Sequence, residues 1–384
     1  MLATHAYLKN WRNFREAAVP LAARTYVIGP NASGKSNLLD VFRFLRDVSK
    51  PNGGGLQKAV DDRGGISKLR CLHARRDTEV RIEVHLAEKA EAVEPTWKYI
   101  LGFKPEGKGA QRLLVSTEEV WHAGRRLFSR PNDQDRKDTQ LLTQTYLEQI
   151  QTNVEFRDVA EFFSNVTYLH LVPQLLKYGD KIGGQRLEDD PFGQGFLERI
   201  AKCSKNTREA RLRKIAKALA AAVPQFKELR FHPDEATGRP HLEALYEHHR
   251  PQGAWQREEH FSDGTLRLIG LLWSLLDGDS LLLLEEPELS LHQAVVEQIP
   301  LLIDRALRQA KHRRQVIIST HSDVMLSNPG IDGRGVVVLG ADREGSRVRT
   351  ISETETKGLE AGLSVAEVVL PKTRPAGVEQ LGLW

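Results

Sequence analysis

The eight residues GPNASGKS, Gly29–Ser36, constrain this chain more than any other stretch. They match G-x-x-x-x-G-K-[ST] and stand where that pattern must stand. TYVI (Thr25–Ile28) reads as a short buried strand before them, and LLDVFRFL predicts an amphipathic helix from about Lys35 to Val48 after them. Chemistry dictates the spacing. Gly29 and Gly34 let the backbone wrap a phosphate chain with its N–H groups turned inward. Lys35 puts an ammonium on the β- and γ-phosphates, and Ser36 offers a hydroxyl to Mg²⁺ at the helix N-terminus. A glycine-rich turn arising by chance would lack this strand and helix, so a nucleotide site is expected.

Such a loop needs a carboxylate on a neighbouring strand to hold Mg²⁺, and a base to orient the attacking water. LLLLEEPELSLH (Leu281–His292) supplies both. Leu281–Leu284 read as a buried strand, beyond which adjacent Glu285 and Glu286 face opposite ways and Pro287 resists further pairing. Charged residues often cap buried strands merely to reach water. With a phosphate loop in the chain, Glu285 reads instead as the metal-side carboxylate and Glu286 as the base. FSDGTLR (Phe261–Arg267) opens a helix just ahead. Ser262 can cap it, Gly264 allows close backbone approach, and the free N–H groups make an anion site. THSD (Thr320–Asp323) follows the strand QVIIS and sets His321 beside the same sheet edge, as a γ-phosphate contact.

Thr78–Leu86 and Trp97–Phe103 alternate as half-buried strands, and VWHAGRRLF predicts a hairpin turning at Ala123–Gly124. After the polar boundary RPNDQDRKD the pattern is mainly helical to about Arg250, best in the stripe Leu212, Ile215, Ala216, Leu219, Ala222 and Val223 that stops at Pro224. A helix through LRLIGLLWSLL, the LLLL strand, a helix from Leu291 and the strands QVIIS and VVVL follow. Strand–helix–strand alternation implies a parallel sheet covered on its faces.

The 384 residues suffice for a large core, and a net charge of +4 neither proves nor excludes a nucleic-acid partner. Cys71 and Cys203 are far apart and form no CxxC pair, which argues against a disulfide scaffold or zinc site and fits a reducing cytoplasm. The N-terminus lacks a signal-peptide core. The most apolar region is broken by Asp277, Gly278 and Asp279, so no segment reaches membrane-spanning length and a membrane channel is excluded.

The order GPNASGKS, FSDGTLR, LLLLEEPELSLH, IISTH resembles the ABC-type ATPase heads, among them the RecF, SMC and OLD groups. It is most similar to the bacterial "predicted AAA ATPases" related to OLD proteins. There a KNF-like motif precedes GPNGSGKSN, and SDGTLR and EEPE-x-x-LH recur; here the first reads LKNWRNF, and RGG (Arg63–Gly65) also fits. The resemblance implies an α/β fold: a P-loop NTPase of ABC-ATPase head type with an N-terminal antiparallel β subdomain and a mainly helical insertion. Its parts would be residues 1–133, 134–250 and 251–384. It extends the ATP-binding set to Asn31, Ala32, Ser33, Asn37 and Arg12. It further implies a homodimer or higher oligomer in which two chains sandwich two ATP molecules. Ser262, Gly264 and Thr265 of one chain would then close on the nucleotide held by Lys35 of the other.

Ala32 stands where that family has glycine, at a position the P-loop pattern leaves free. Asp263 sets a negative charge near a phosphate and is not a contact. The resemblance leaves the Q-loop glutamine unplaced, with Gln134 and Gln140 as the two candidates. OLD proteins carry a C-terminal Toprim nuclease, whereas only about sixty residues follow His321 here, below a usual domain size. The chain therefore reads as a head that controls a separately encoded, Toprim-like nuclease or toxin effector in anti-phage defence or DNA maintenance. The transporter subunit is disfavoured by the long insertion and by EEPELSLH in place of the transporter arrangement. The SMC-like clamp is disfavoured by the lack of a coiled coil.

Two weaker signals remain. The helix Thr207–Val223 carries Arg211, Lys214 and Lys217 away from its apolar stripe, as a candidate DNA or RNA contact or simply a solvated face. His241, His248, His249 and His260 suggest metal only faintly, because HLEALYEHHR alternates like a strand and turns His248 and His249 apart.

Overall fold

A computed structural model of the chain describes all residues except 51, 108–111, 183–191, 248–253, 310–313, 374–379 and 381–384. Alternation in the first third produces a sheet with one covered face. β1 (Leu2–Trp11) and β2 (Phe14–Pro20) form a hairpin, and β3 (Arg24–Ile28) then leaves for a second sheet. β4 (Val80–Ala87), β5 (Trp97–Pro105), β6 (Leu113–His122) and β7 (Arg125–Arg130) complete an antiparallel sheet of order β2-β1-β4-β5-β6-β7. In β4, Val80, Ile82, Val84 and Leu86 are fully buried, while Arg81, Glu83 and His85 keep partial access to water. The β6–β7 turn falls at Ala123 (φ 47°) and Gly124 (φ 77°), the pair of left-handed residues that a two-residue hairpin requires.

The second sheet has the order β15-β14-β3-β13-β12-β8, from β8 (Thr167–Leu169), β12 (Leu282–Glu285), β13 (Val316–Thr320), β14 (Val336–Asp342) and β15 (Gly345–Thr350). All its pairs are parallel except the β14–β15 edge. The leucine run is explained by burial on both faces. Leu281 and Leu283 join the core under the antiparallel sheet, together with the P-loop helix Lys35–Ser49, while Leu282 and Leu284 join the core on the opposite side. Each fully buried leucine contributes roughly 1.5–3 kcal/mol.

Most regular structure within 134–250 is helical, including Arg157–Ser164 against the P-loop helix and the long helix Lys205–Ala222. Three strands also lie there. β8 returns to the parallel sheet, and β9 (Phe226–Pro233) and β10 (Pro240–Tyr246) pair with β11 (Ala254–Arg257) in a small antiparallel sheet. Three residues of β8 are too few to display a period. The helix Asp263–Leu276, buried at Leu266 and from Leu268 to Leu275, packs against Lys205–Ala222 and begins with the FSDGTLR turn.

Candidate functional site

The P-loop is shaped by close backbone approaches. A Cβ on Gly29 would stand 2.7 Å from the Leu339 carbonyl of β14, and one on Gly34, at φ 99°, would stand 2.2 Å from Asn13 Nδ2. Asn13 donates to Ser33 O at 3.1 Å and accepts from Asn37 Nδ2 at 2.8 Å, and Ser346 Oγ donates to Ser33 O at 2.7 Å. Ser33 and Gly34 are thus buried and braced, leaving Asn31, Ala32 and Ser36 exposed. Ala32 adopts φ 63°, a left-handed conformation that costs an alanine and not a glycine. The position that the pattern leaves free is therefore not free in the backbone.

Lys35 is only 8% exposed, and its Nζ donates to the carbonyls of Gly29 at 2.9 Å and Pro30 at 3.3 Å. Burial lowers its pKa, opposed by Glu286, Glu285 and Glu288. Across the loop, Ser36 Oγ donates to Glu285 Oε1, and Tyr168 OH from β8 donates to Glu285 Oε2. Two hard-oxygen groups suited to Mg²⁺, from different elements, therefore meet at one point. Glu286 leaves the strand at φ 43°, and its N–H donates to Ser319 O at 3.0 Å. Its Oε1 lies 3.1 Å from His321 Nδ1, so the two glutamates face separate partners, as their neighbouring positions predict.

Beneath this pair lies Glu288, 8% exposed, accepting from Thr320 Oγ1 at 2.5 Å with Oε2 buried and unpartnered. Burial raises its pKa, partly offset by the Thr320 bond. Ser262 caps the helix Asp263–Leu276, its Oγ accepting from Thr265 N at 3.1 Å. Gly264 is required by packing, since a Cβ would meet Ser290 O at 2.6 Å. The charge of Asp263 is paired with Lys177 Nζ at 2.8 Å, and its other oxygen accepts from Gln174 Nε2 at 2.7 Å.

Residues 24–327 match the protein family described as "AAA domain, putative AbiEii toxin, Type IV TA system", which covers more than half of the chain. The chain belongs to this family. A RecF DNA replication and repair protein from Roseiflexus castenholzii is 31% identical over 99 residues. The match covers 24% of this chain and 25% of that protein, so the chain spans about a quarter of the curated relative it matches. An SMC head bound to the C-terminal winged-helix domain of ScpA has a TM-score of 0.55 at 18% identity, covering 93% of this chain and all of that one. An SMC head from Pyrococcus furiosus, with an extended coiled coil and bound to the C-terminal domain of ScpA, has a TM-score of 0.52 at 16% identity, covering 94% and 98%. This AAA-family chain therefore has the fold of an ABC-type P-loop ATPase head of the RecF/SMC-like group.

Other sequence expectations land elsewhere. Arg12 donates to Asp40 at 2.7 and 3.0 Å, in a cluster where Arg63 of RGG bonds both Asp40 and Asp47. Burial works to raise the pKa of Asp40, but Arg63 and Arg12 bring it below its ordinary value. Gln134 and Gln140 lie in short helical turns beside β6 and β7, away from the parallel sheet. Gln174, which follows β8, donates to Asp263 at the start of the FSDGTLR helix. Arg211 is held by Asp277 at 2.7 Å and lies 5.2 Å over Trp273. His241 meets Glu258 at 2.8 Å, and His248 and His249 lie outside the described residues. Among the described residues no group of three or more His, Cys, Asp or Glu could hold a metal, and no helix is long and apolar enough to cross a membrane. Asn13, Tyr168, Glu288 and Ser346 were not singled out from sequence. Only Asn13 and Glu288 carry a signal there, as members of LKNWRNF and EEPE.

Proposed function

We propose that the chain is an ATP-binding and ATP-hydrolysing switch that closes into a dimer around ATP. In a bacterial defence or DNA-maintenance system it would control a separate nuclease or toxin from the cytoplasm. The observation that carries this reading is the meeting of Ser36 and Glu285, beside Glu286 and His321, at the end of the parallel sheet.

The P-loop amides and Lys35 would bind the β- and γ-phosphates. Mg²⁺, held by Ser36 and Glu285, would neutralise charge on the phosphate oxygens. Glu286 would take a proton from water as its oxygen bonds the γ-phosphorus and ADP departs with the bridging oxygen. His321, 3.1 Å from Glu286, would hold the γ-phosphate side of the site. The helix N-terminus at Ser262 and Gly264 would offer N–H groups to an anion, and with Thr265, whose own N–H is taken by the Ser262 cap, would meet the nucleotide of a second chain. The SMC heads bound to ScpA domains support a head that passes its ATP state to another protein.

Calorimetry on Lys35→Ala tests the nucleotide site, because this lysine is the P-loop's cation. ATP affinity should be abolished, and unchanged affinity would contradict the proposal.

A further inference from the structure

Four helical segments enclose a groove of about 820 Å³ on a face that the ATP site does not use. One wall is Lys205–Ala222 and another is Asp263–Leu276; Gln293–Val296 and Ile299–Gln309 close the other side. Its floor is apolar, with Leu272, Leu276, Val295, Leu301 and Leu302. Leu301 is 38% exposed, so the apolar floor reaches solvent at the groove's mouth. The rims are cationic, with Lys214 and Lys217 on one side and Arg305 on the other, and among the described residues neither Asp nor Glu lines the groove. Among the described residues none of these three cations has an ion-pair partner, whereas their neighbour Arg211 is taken by Asp277.

We propose that this groove docks an amphipathic helix of a partner protein whose leucine-like stripe is flanked by Asp and Glu. Apolar side chains at i, i+3, i+4 and i+7 fit such a floor, and the cations on both rims select acidic flanks. Nucleic acid fits less well, because a phosphate backbone makes no use of leucines between the cations. The groove also joins two parts of the candidate site: the helix begun by Ser262 and the segment that follows LLLLEEPELSLH. A docked helix would clamp one to the other.

The test reads binding alone, so its failure would leave the ATPase reading standing. Fluorescence anisotropy would compare three labelled probes on the full chain. The first is a leucine-striped, glutamate-rich peptide of about 18 residues. The second is the same peptide with lysine for glutamate, and the third is a single-stranded DNA oligonucleotide. The acidic peptide should bind saturably and more weakly at high salt. Lys214→Glu with Lys217→Glu, both at exposed helix positions, should weaken it by about tenfold or more. Leu301→Asp should weaken it independently. Absent binding of the acidic peptide, equal binding of the lysine peptide, or indifference to both variants would overturn the proposal. DNA binding that the charge reversals abolish, without acidic-peptide binding, would return the helix to a nucleic-acid role. A dimer seen by light scattering without nucleotide, and broken by Leu301→Asp, would assign the groove to a second copy.

Discussion

At the scale of residues, the site is a set of carboxylates given different environments within four positions. Glu285 meets two hydroxyls, Glu286 meets an imidazole, and Glu288 is buried against one threonine. Glu288 has a pKa raised in the fold, so between its ordinary and its raised value the folded chain binds more protons than the unfolded one. Stability from this group is therefore fully present below the ordinary carboxylate range and is lost as pH rises through the raised value. Glu288→Gln removes the titration and keeps the shape. Thermal melts should show the parent losing stability relative to the variant as pH rises through that window. A constant difference at every pH would show that Glu288 does not titrate with folding.

At the scale of elements, the FSDGTLR turn couples a cap to a close approach. Ser262→Ala should cost about 1 kcal/mol through loss of the cap. Gly264→Ala should cost about 1–3 kcal/mol, because its methyl meets the Ser290 backbone and not a movable side chain. Urea midpoints would register both, and a Gly264→Ala variant as stable as the parent would refute the packing argument. Strands and helices with a clear period were legible in the sequence. The P-loop helix, β4, the β6–β7 turn, the helix Asp263–Leu276 and the LLLL strand all follow from alternation, capping or turn chemistry. β8 was not legible, since three residues show no period, and with it Tyr168 and Gln174 escaped notice. The Arg12–Asp40–Arg63 cluster was hidden for another reason. Sequence spacing says nothing of which distant charges meet, and here Arg12 turns to an aspartate of the P-loop helix. Ala32 teaches the same limit for backbone, because a pattern that accepts any residue does not report the φ angle it must adopt.

At the scale of the whole molecule, two cores grip the parallel sheet from opposite faces, and its inner strands β3, β13 and β12 end on the same side of it. Lys35, Glu286 and His321 come from the loops after these three strands, and the FSDGTLR turn comes from a helix on the second core. A dimer closed by nucleotide follows if the turn of one chain completes the P-loop of the other. Glu286→Gln isolates that claim, because glutamine keeps the shape yet cannot accept a proton at neutral pH. Hydrolysis should fall by roughly 10²–10⁴-fold while ATP still binds. Glu285→Gln should instead weaken Mg²⁺ binding. The most direct measurement is size-exclusion chromatography with light scattering on Glu286→Gln in ATP and in ADP. The account predicts a long-lived dimer in ATP that is lost in ADP; a variant that binds ATP and stays monomeric in both would contradict it.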